Sequence, residues 1–105
     1  MTLDEDRDRW SALGCAARGG WVERLGGIEE VCAARSELRG IVVKHGTDTM
    51  GETAYCLDLT VSGLRPGVVT GSMRPSNMAG ADGPANLMSA VRAAADSDSR
   101  GRGTL

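Results

Sequence analysis

Within Lys44-His45-Gly46-Thr47-Asp48-Thr49-Met50-Gly51-Glu52 lie two hydroxyls, two carboxylates and the chain's one imidazole. Thr49 and Glu52 have the spacing of a capping box, in which a hydroxyl and a carboxylate satisfy free N–H groups at a helix start. One such pair suffices for a cap, so Thr47 and Asp48 are left over. A threonine hydroxyl is a poor nucleophile or proton relay unless a base or cation helps it shed its proton. Asp48 has the chemistry to supply part of that help, or to bind a substrate ammonium instead. Spacing alone leaves the structural and the catalytic reading both open. His45 has no second histidine to work with and reads as a structural hydrogen bonder. Phosphate-loop glycine patterns are absent. Cys15, Cys32 and Cys56 are odd in number and form no CxxC pair, so neither a disulfide framework nor a zinc site is indicated. They read as small buried thiols.

The elements that must hold this loop are legible from Gly40 onward. Ile41-Val42-Val43 is short, β-branched and uninterrupted, as expected of a strand buried on both faces. The polar loop follows, then Met50, Ala54, Leu57 and Val61 recur at helical spacing until Gly63 and Pro66 stop the pattern. Val68-Val69 is a second apolar run. It leads through Ser72-Met73-Arg74-Pro75 to a helix whose N-cap is Asp82 or Gly83, with Pro84 at the first helical position. Leu87, Val91 and Ala94 form its expected buried stripe. Gly103-Thr104-Leu105 reads as the start of a third strand. Strand–helix–strand–helix order predicts a parallel α/β sheet with right-handed crossovers. In such sheets ligands bind beyond the carboxyl ends of the strands, which is where residues 44–50 and 71–83 lie.

Residues 1–39 are less informative. Thr2 and Glu5 fit a capping box, and Trp10, Leu13 and Ala17 fall on one helical stripe; Ile28 to Leu38 reads as a second helix with Ile28, Val31, Cys32 and Arg35 on one face. Gly19-Gly20 and Gly26-Gly27 interrupt this region. The expected division is a helical segment over 1–39 and part of an α/β domain over 40–105.

At 105 residues the chain amounts to one small domain or part of a larger one. It has no Phe, and its 15 glycines are about twice the usual share, so the core must be built from aliphatic side chains. The net charge of −2 is spread evenly, with 8 acids and 6 bases over 1–39 and 6 of each over 40–105. No basic face argues for nucleic acid. No apolar run approaches the ~20 residues that span a bilayer, and the charged start lacks the apolar core of a signal peptide. A cytoplasmic, reducing setting is the expectation.

The stretches "GIVVKHGTDTMGETAYCLDLTV" and "VVTGSMRPSNMAGADGPANLMSAVRAAAD" closely resemble the bacterial-type L-asparaginase family, amidohydrolases that release ammonia from L-asparagine. The likeness runs from about Gly40 to Gly103 and is gap-free from Lys44 to Pro84. "HGTDTM" matches that family's second active-site signature, and "MRP" with "ADGP" a further family stretch. The resemblance implies a Rossmann- or flavodoxin-like three-layer N-terminal domain. It implies that Thr47 is the family's second catalytic threonine, working with a lysine and the adjoining aspartate. It implies that Asp48 is that aspartate and also holds the substrate's α-amino group, and that Gly46 lines the substrate pocket. A homo-oligomer without metal cofactor is implied as well.

Departures limit what carries over. The family's first signature, a Thr-Gly-Gly-Thr-Ile strand end with the primary nucleophile, has no match before Gly40; Gly26 and Gly27 are followed by Glu29 and Glu30 instead. The lid tyrosine has no counterpart, and the catalytic lysine is expected beyond Leu105. Lys44 precedes Thr47 on its strand and does not replace it. Gly51 stands where a glutamate is usual, which costs the helix's first turn propensity and a favourable charge. The expectation is therefore an asparaginase-type sequence truncated within its N-terminal domain and inactive by itself. The alternatives are a non-catalytic, amino-acid-binding remnant and the asparaginase-like subunit of tRNA-dependent amidotransferases.

Overall fold

The computed structural model describes residues 2–4, 10–11, 28 and 30–105. Four strands form one sheet: β1 (Thr2–Asp4), β2 (Trp10–Ser11), β3 (Leu38–Lys44) and β4 (Gly67–Thr70), in the order β2-β1-β3-β4. Helix α1 (Met50–Thr60), helix α2 (Gly83–Ala95) and a short 3-10 turn at Ser97–Ser99 accompany them, and residues 28 and 30–34 are also helical. β3 and β4 pair in parallel, Ile41 opposite Gly67 through Lys44 opposite Thr70. Thr104 bridges Gly67 in parallel, and Leu105 exchanges two backbone bonds of 2.8 Å with Gly67 and Val69. The expected third strand thus begins on the outer edge of β4.

Alternation along β3 sends its side chains to two layers. Val42 and Val68 form one core with Ala90, Val91 and Ala94 of α2, with Leu87 and Ala93 packed against it. Leu87 is therefore less central than its helical spacing predicts, and Ala90 more so. Ile41 and Val43 face the other way and share a groove of about 300 Å³ with Leu57 of α1, Ile28 and Cys32. Helices on both faces of a parallel pair make this an α/β fragment of the three-layer kind. Each fully buried valine or leucine here contributes about 1.5–3 kcal/mol against exposure.

Close approach of α2 to β3 rests on Gly40. A Cβ at that position would stand 2.6 Å from the Ala94 carbonyl oxygen and 3.1 Å from Pro66 Cγ. Arg65 secures the opposite side, donating to the carbonyls of Cys32 (2.7 Å) and Ser36 (3.1 Å). The Cys32 carbonyl lies in the last turn of the helical residues 30–34 and the Ser36 carbonyl in the turn that follows, a helix end where a cation and its N–H groups are favourable.

The N-terminal expectation needs correction. Thr2–Asp4 and Trp10–Ser11 are strands rather than the capping box and first stripe of a helix. β1 runs antiparallel along the edge of β3, Thr2 opposite Ile41 and Asp4 opposite Leu38, and β2 pairs with β1 in turn. The unpaired N–H and C=O groups of β3's edge are satisfied this way, a tertiary demand that local helix signals do not register. Leu13 and Ala17 lie outside the described residues. The second helix is shorter than its pattern predicts: residues 36–37 turn, and Leu38, only 2% exposed, already belongs to β3. Arg35 lies past the helix and pairs with Glu37 at 2.8 Å.

Candidate functional site

The parallel pair delivers two loops to one edge of the sheet. The ladder continues one step beyond β3, where the His45 N–H donates to the Thr70 carbonyl at 2.8 Å. Gly46, Thr47, Asp48 and Thr49 follow, all exposed, and α1 begins at Met50. Gly71 and the exposed run 72–80 leave β4 at the same edge, and α2 begins at Gly83.

His45 anchors the base of the first loop. Its Nδ1 lies 2.6 Å from the Gly46 carbonyl, which only accepts, so Nδ1 carries the proton. Its Nε2 is then the acceptor for the Thr53 hydroxyl at 2.8 Å in the neutral ring. Thr53 is 2% exposed, the one buried polar side chain among the described residues, and this bond satisfies it. The structural reading of His45 holds. Its partner stands eight residues away, about one turn into α1, where no spacing rule points.

Gly71 packs the second loop against the first. A Cβ there would lie 2.6 Å from the His45 carbonyl oxygen and 3.2 Å from both Met50 Sδ and Thr47 Cγ2. Only a glycine lets the two backbones approach so closely. Behind Gly71, the Asn86 amide donates to its carbonyl at 2.9 Å and to Asp82 Oδ2 at 3.2 Å. Asp82 also accepts from the backbone N–H groups of Met73 (2.9 Å) and Arg74 (3.0 Å). These backbone bonds, that of Met73 first, hold the Asp82 carboxyl below the usual carboxylate range. Sequence reasoning places Asp82 at a helix start but misses this clamp. The one available signal is the four-residue interval from Asp82 to Asn86, which sets them on one helix face.

Both expected N-cap residues occupy the N-cap position, but neither side chain makes a cap bond. Thr49 occupies the N-cap position of α1 but makes no side-chain cap bond, so the Thr49–Glu52 capping box is not formed. Its ψ of 23° lies far from the extended backbone that aims an N-cap hydroxyl at the N2 and N3 amides. A backbone bond from the Thr53 N–H to the Thr49 carbonyl, 3.1 Å, starts the helix instead. Asp82 likewise sits at the N-cap of α2 without capping it, because its oxygens are taken by Met73 and Arg74.

Thr47 and Asp48 remain. Neither side chain has a hydrogen-bond or ion-pair partner among the described residues. Gly46 has open space where a Cβ would be. The three are adjacent, exposed and mounted on a loop held at both ends. Lys44, the last residue of β3, is also exposed. The groove of about 300 Å³ lies elsewhere, lined by Pro66, Gly67, Gly103 and Thr104 toward the amino end of β4, and no residue of 44–50 or 71–83 lines it. No group of three or more metal-ligating side chains occurs among the described residues. None of their helices is long and apolar enough to cross a membrane.

The family described as "Asparaginase, N-terminal" matches residues 21–105. That span begins well before Gly40, where the likeness read from the sequence starts. Among curated proteins, "Probable L-asparaginase 4" of Schizosaccharomyces pombe is 56% identical over 72 residues, covering 69% of this chain and 20% of the relative. "L-asparaginase 2" of Bacillus subtilis is 54% identical over 72 residues, covering 69% and 19%. "Probable L-asparaginase periplasmic" of Haemophilus influenzae is 49% identical over 85 residues, covering 81% and 24%. The chain spans about a fifth of the length of these relatives.

Proposed function

Because the chain belongs to the asparaginase family through the N-terminal domain matched by residues 21–105, we propose that Thr47 and Asp48 are half of a site for L-asparagine hydrolysis. In this reaction an oxygen nucleophile adds to the side-chain amide carbon. The C–N bond breaks, nitrogen leaves with a proton as ammonia, and water then hydrolyses the acyl intermediate to aspartate. Asp48 holds the substrate's α-ammonium by charge and hydrogen bonding. The Thr47 hydroxyl passes a proton at the reacting centre, and Gly46 leaves room for the substrate backbone.

The observation that carries this reading is the pairing of a hydroxyl and a carboxylate, both without a partner among the described residues, on a firmly held loop at the carboxyl end of a parallel strand. A purely structural loop would spend those groups on its own N–H donors, as Asp82 does. Thr47 needs a base or cation to work, and none contacts it among the described residues, so the remaining catalytic groups come from other parts of a complete enzyme. A homo-oligomer belongs to the same proposal. So does a reducing, cytoplasmic setting, supported by the free Cys32 and Cys56 thiols.

The test is transplantation. Residues 40–105, placed in Bacillus subtilis L-asparaginase 2 over the segment they match, are expected to sustain ammonia release from L-asparagine. A folded chimera without that activity overturns the proposal.

A further inference from the structure

The exposed Gly46–Asp48 loop has few bonds of its own, yet it must hold a fixed geometry to handle a substrate. On the α1 side it is anchored through His45 and Thr53. On the other side it faces Gly71, where even a Cβ would stand 3.2 Å from Thr47 Cγ2 and 2.6 Å from the His45 carbonyl oxygen, so no side chain fits between the two loops. Gly71 is in turn held from behind by the Asn86 amide on its carbonyl. Asp82 fixes Asn86 and turns the chain back at Met73 and Arg74, two and three residues beyond Gly71. The connection is continuous: Asp82 and Asn86, Gly71, then Thr47.

We propose that Asp82 and Asn86 are positioning residues for Thr47 and Asp48, acting through the backbone of Gly71. The functional weight of this statement rests on the reading of Thr47 and Asp48 as substrate-handling groups. The positioning itself is a property of the chain as it stands. Neither Asp82 nor Asn86 touches the Gly46–Asp48 loop. Their effect is to fix where the β4 loop lies, and no side chain at Gly71 cushions a shift of that backbone. A displacement there reaches Thr47 across a gap too narrow for a methyl group to fit without pushing its neighbours aside. Misplacement by about 1 Å at a reacting group costs an enzyme on the order of a hundred-fold in rate, so a contact of this kind carries catalytic weight without touching substrate.

The experiment uses the isotopically labelled 105-residue chain and reads backbone amide and Thr47 methyl shifts, with no substrate present. In Asn86→Ala the helix keeps a strong helix former and loses only the side-chain bonds. The expected result is displaced signals for Gly46, Thr47 and Asp48 as well as Gly71, with Leu59 and Thr60 at the far end of α1 unmoved. Asp82→Asn, which turns a carboxylate oxygen facing two N–H donors into a donor group, is expected to shift the same signals. Changes confined to 71–86, with Gly46–Asp48 in place in the folded Asn86→Ala chain, overturn the proposal. Because no turnover is measured, failure of the asparagine-hydrolysis reading leaves this result standing, and the reverse also holds.

Discussion

The Thr53 hydroxyl and His45 Nε2 lie 2.8 Å apart, joining the buried face of α1 to the last residue before the exposed Gly46–Asp48 loop. The bond serves two needs at once. It gives a buried hydroxyl its acceptor, and it fixes the imidazole whose other nitrogen holds the Gly46 carbonyl.

Thr53→Val keeps the shape of the side chain and removes the donor. The predicted loss is about 1 kcal/mol of stability, the usual net worth of such a bond, read from urea denaturation of the chain. Thr53→Ser keeps the donor and is expected to recover that bond while losing a methyl. Equal stability of the native chain and Thr53→Val would count against the bond.

Gly71→Ala forces a methyl toward the His45 carbonyl oxygen, 2.6 Å from where the Cβ must stand. Backbone has to move, at a cost of about 1–3 kcal/mol for overpacking of this kind. The displacement is expected to appear at Gly46 and Thr47 in amide spectra. By contrast Gly46→Ala meets no atom within 4 Å, and its effect on stability is predicted to be small.

How much of this was readable beforehand follows from the range of each interaction. Val42, Val68 and α2 lie in runs whose periodicity states their burial, and Pro84 after Asp82 marks a helix start by local backbone chemistry. Each is a short-range signal, and each holds. Thr2–Asp4 fails because its partner, Leu38–Ile41, lies more than thirty residues away in sequence, and an edge that needs pairing outweighs a local capping pattern. Thr49 and Glu52 fail for a subtler reason: their spacing is right, but the backbone angle at Thr49 turns the hydroxyl from its targets. The Asp82–Asn86–Gly71 clamp was invisible because two of its bonds end on backbone N–H groups, which carry no residue type. Thr47 and Asp48 were visible as surplus polar residues, and the structure leaves them unspent.

Acid should loosen the second loop. The Asp82 carboxyl is held below its ordinary range by N–H donors from Met73 and Arg74. Its folded pKa therefore lies under the unfolded value, and its stabilisation is complete above about pH 4. It is lost as pH falls through the lower folded value. Asp82→Asn is predicted to remove that part of the acid dependence, and carbon-detected titration should place the native carboxyl below an ordinary aspartate. A normal titration for Asp82 would contradict the clamp.

The isolated chain, assayed with L-asparagine, is expected to release no ammonia above the buffer rate, because no base contacts the Thr47 hydroxyl among the described residues. Release that vanished in Thr47→Ala would show that the chain carries a whole site rather than half of one.

The most direct measurement is kcat/KM for L-asparagine in the transplanted 40–105 segment, compared among Thr47→Ala, Asp48→Asn and Thr49→Ala. Loss of a group that acts in the transition state lowers kcat/KM by orders of magnitude, on the order of 10³-fold or more for Thr47→Ala. Asp48→Asn is expected to fall steeply as well, while Thr49→Ala, which removes a hydroxyl that makes no cap bond, stays within a few-fold of the parent. A Thr47→Ala chimera as active as its parent would show that the hydroxyl left free at the end of β3 has no part in the chemistry.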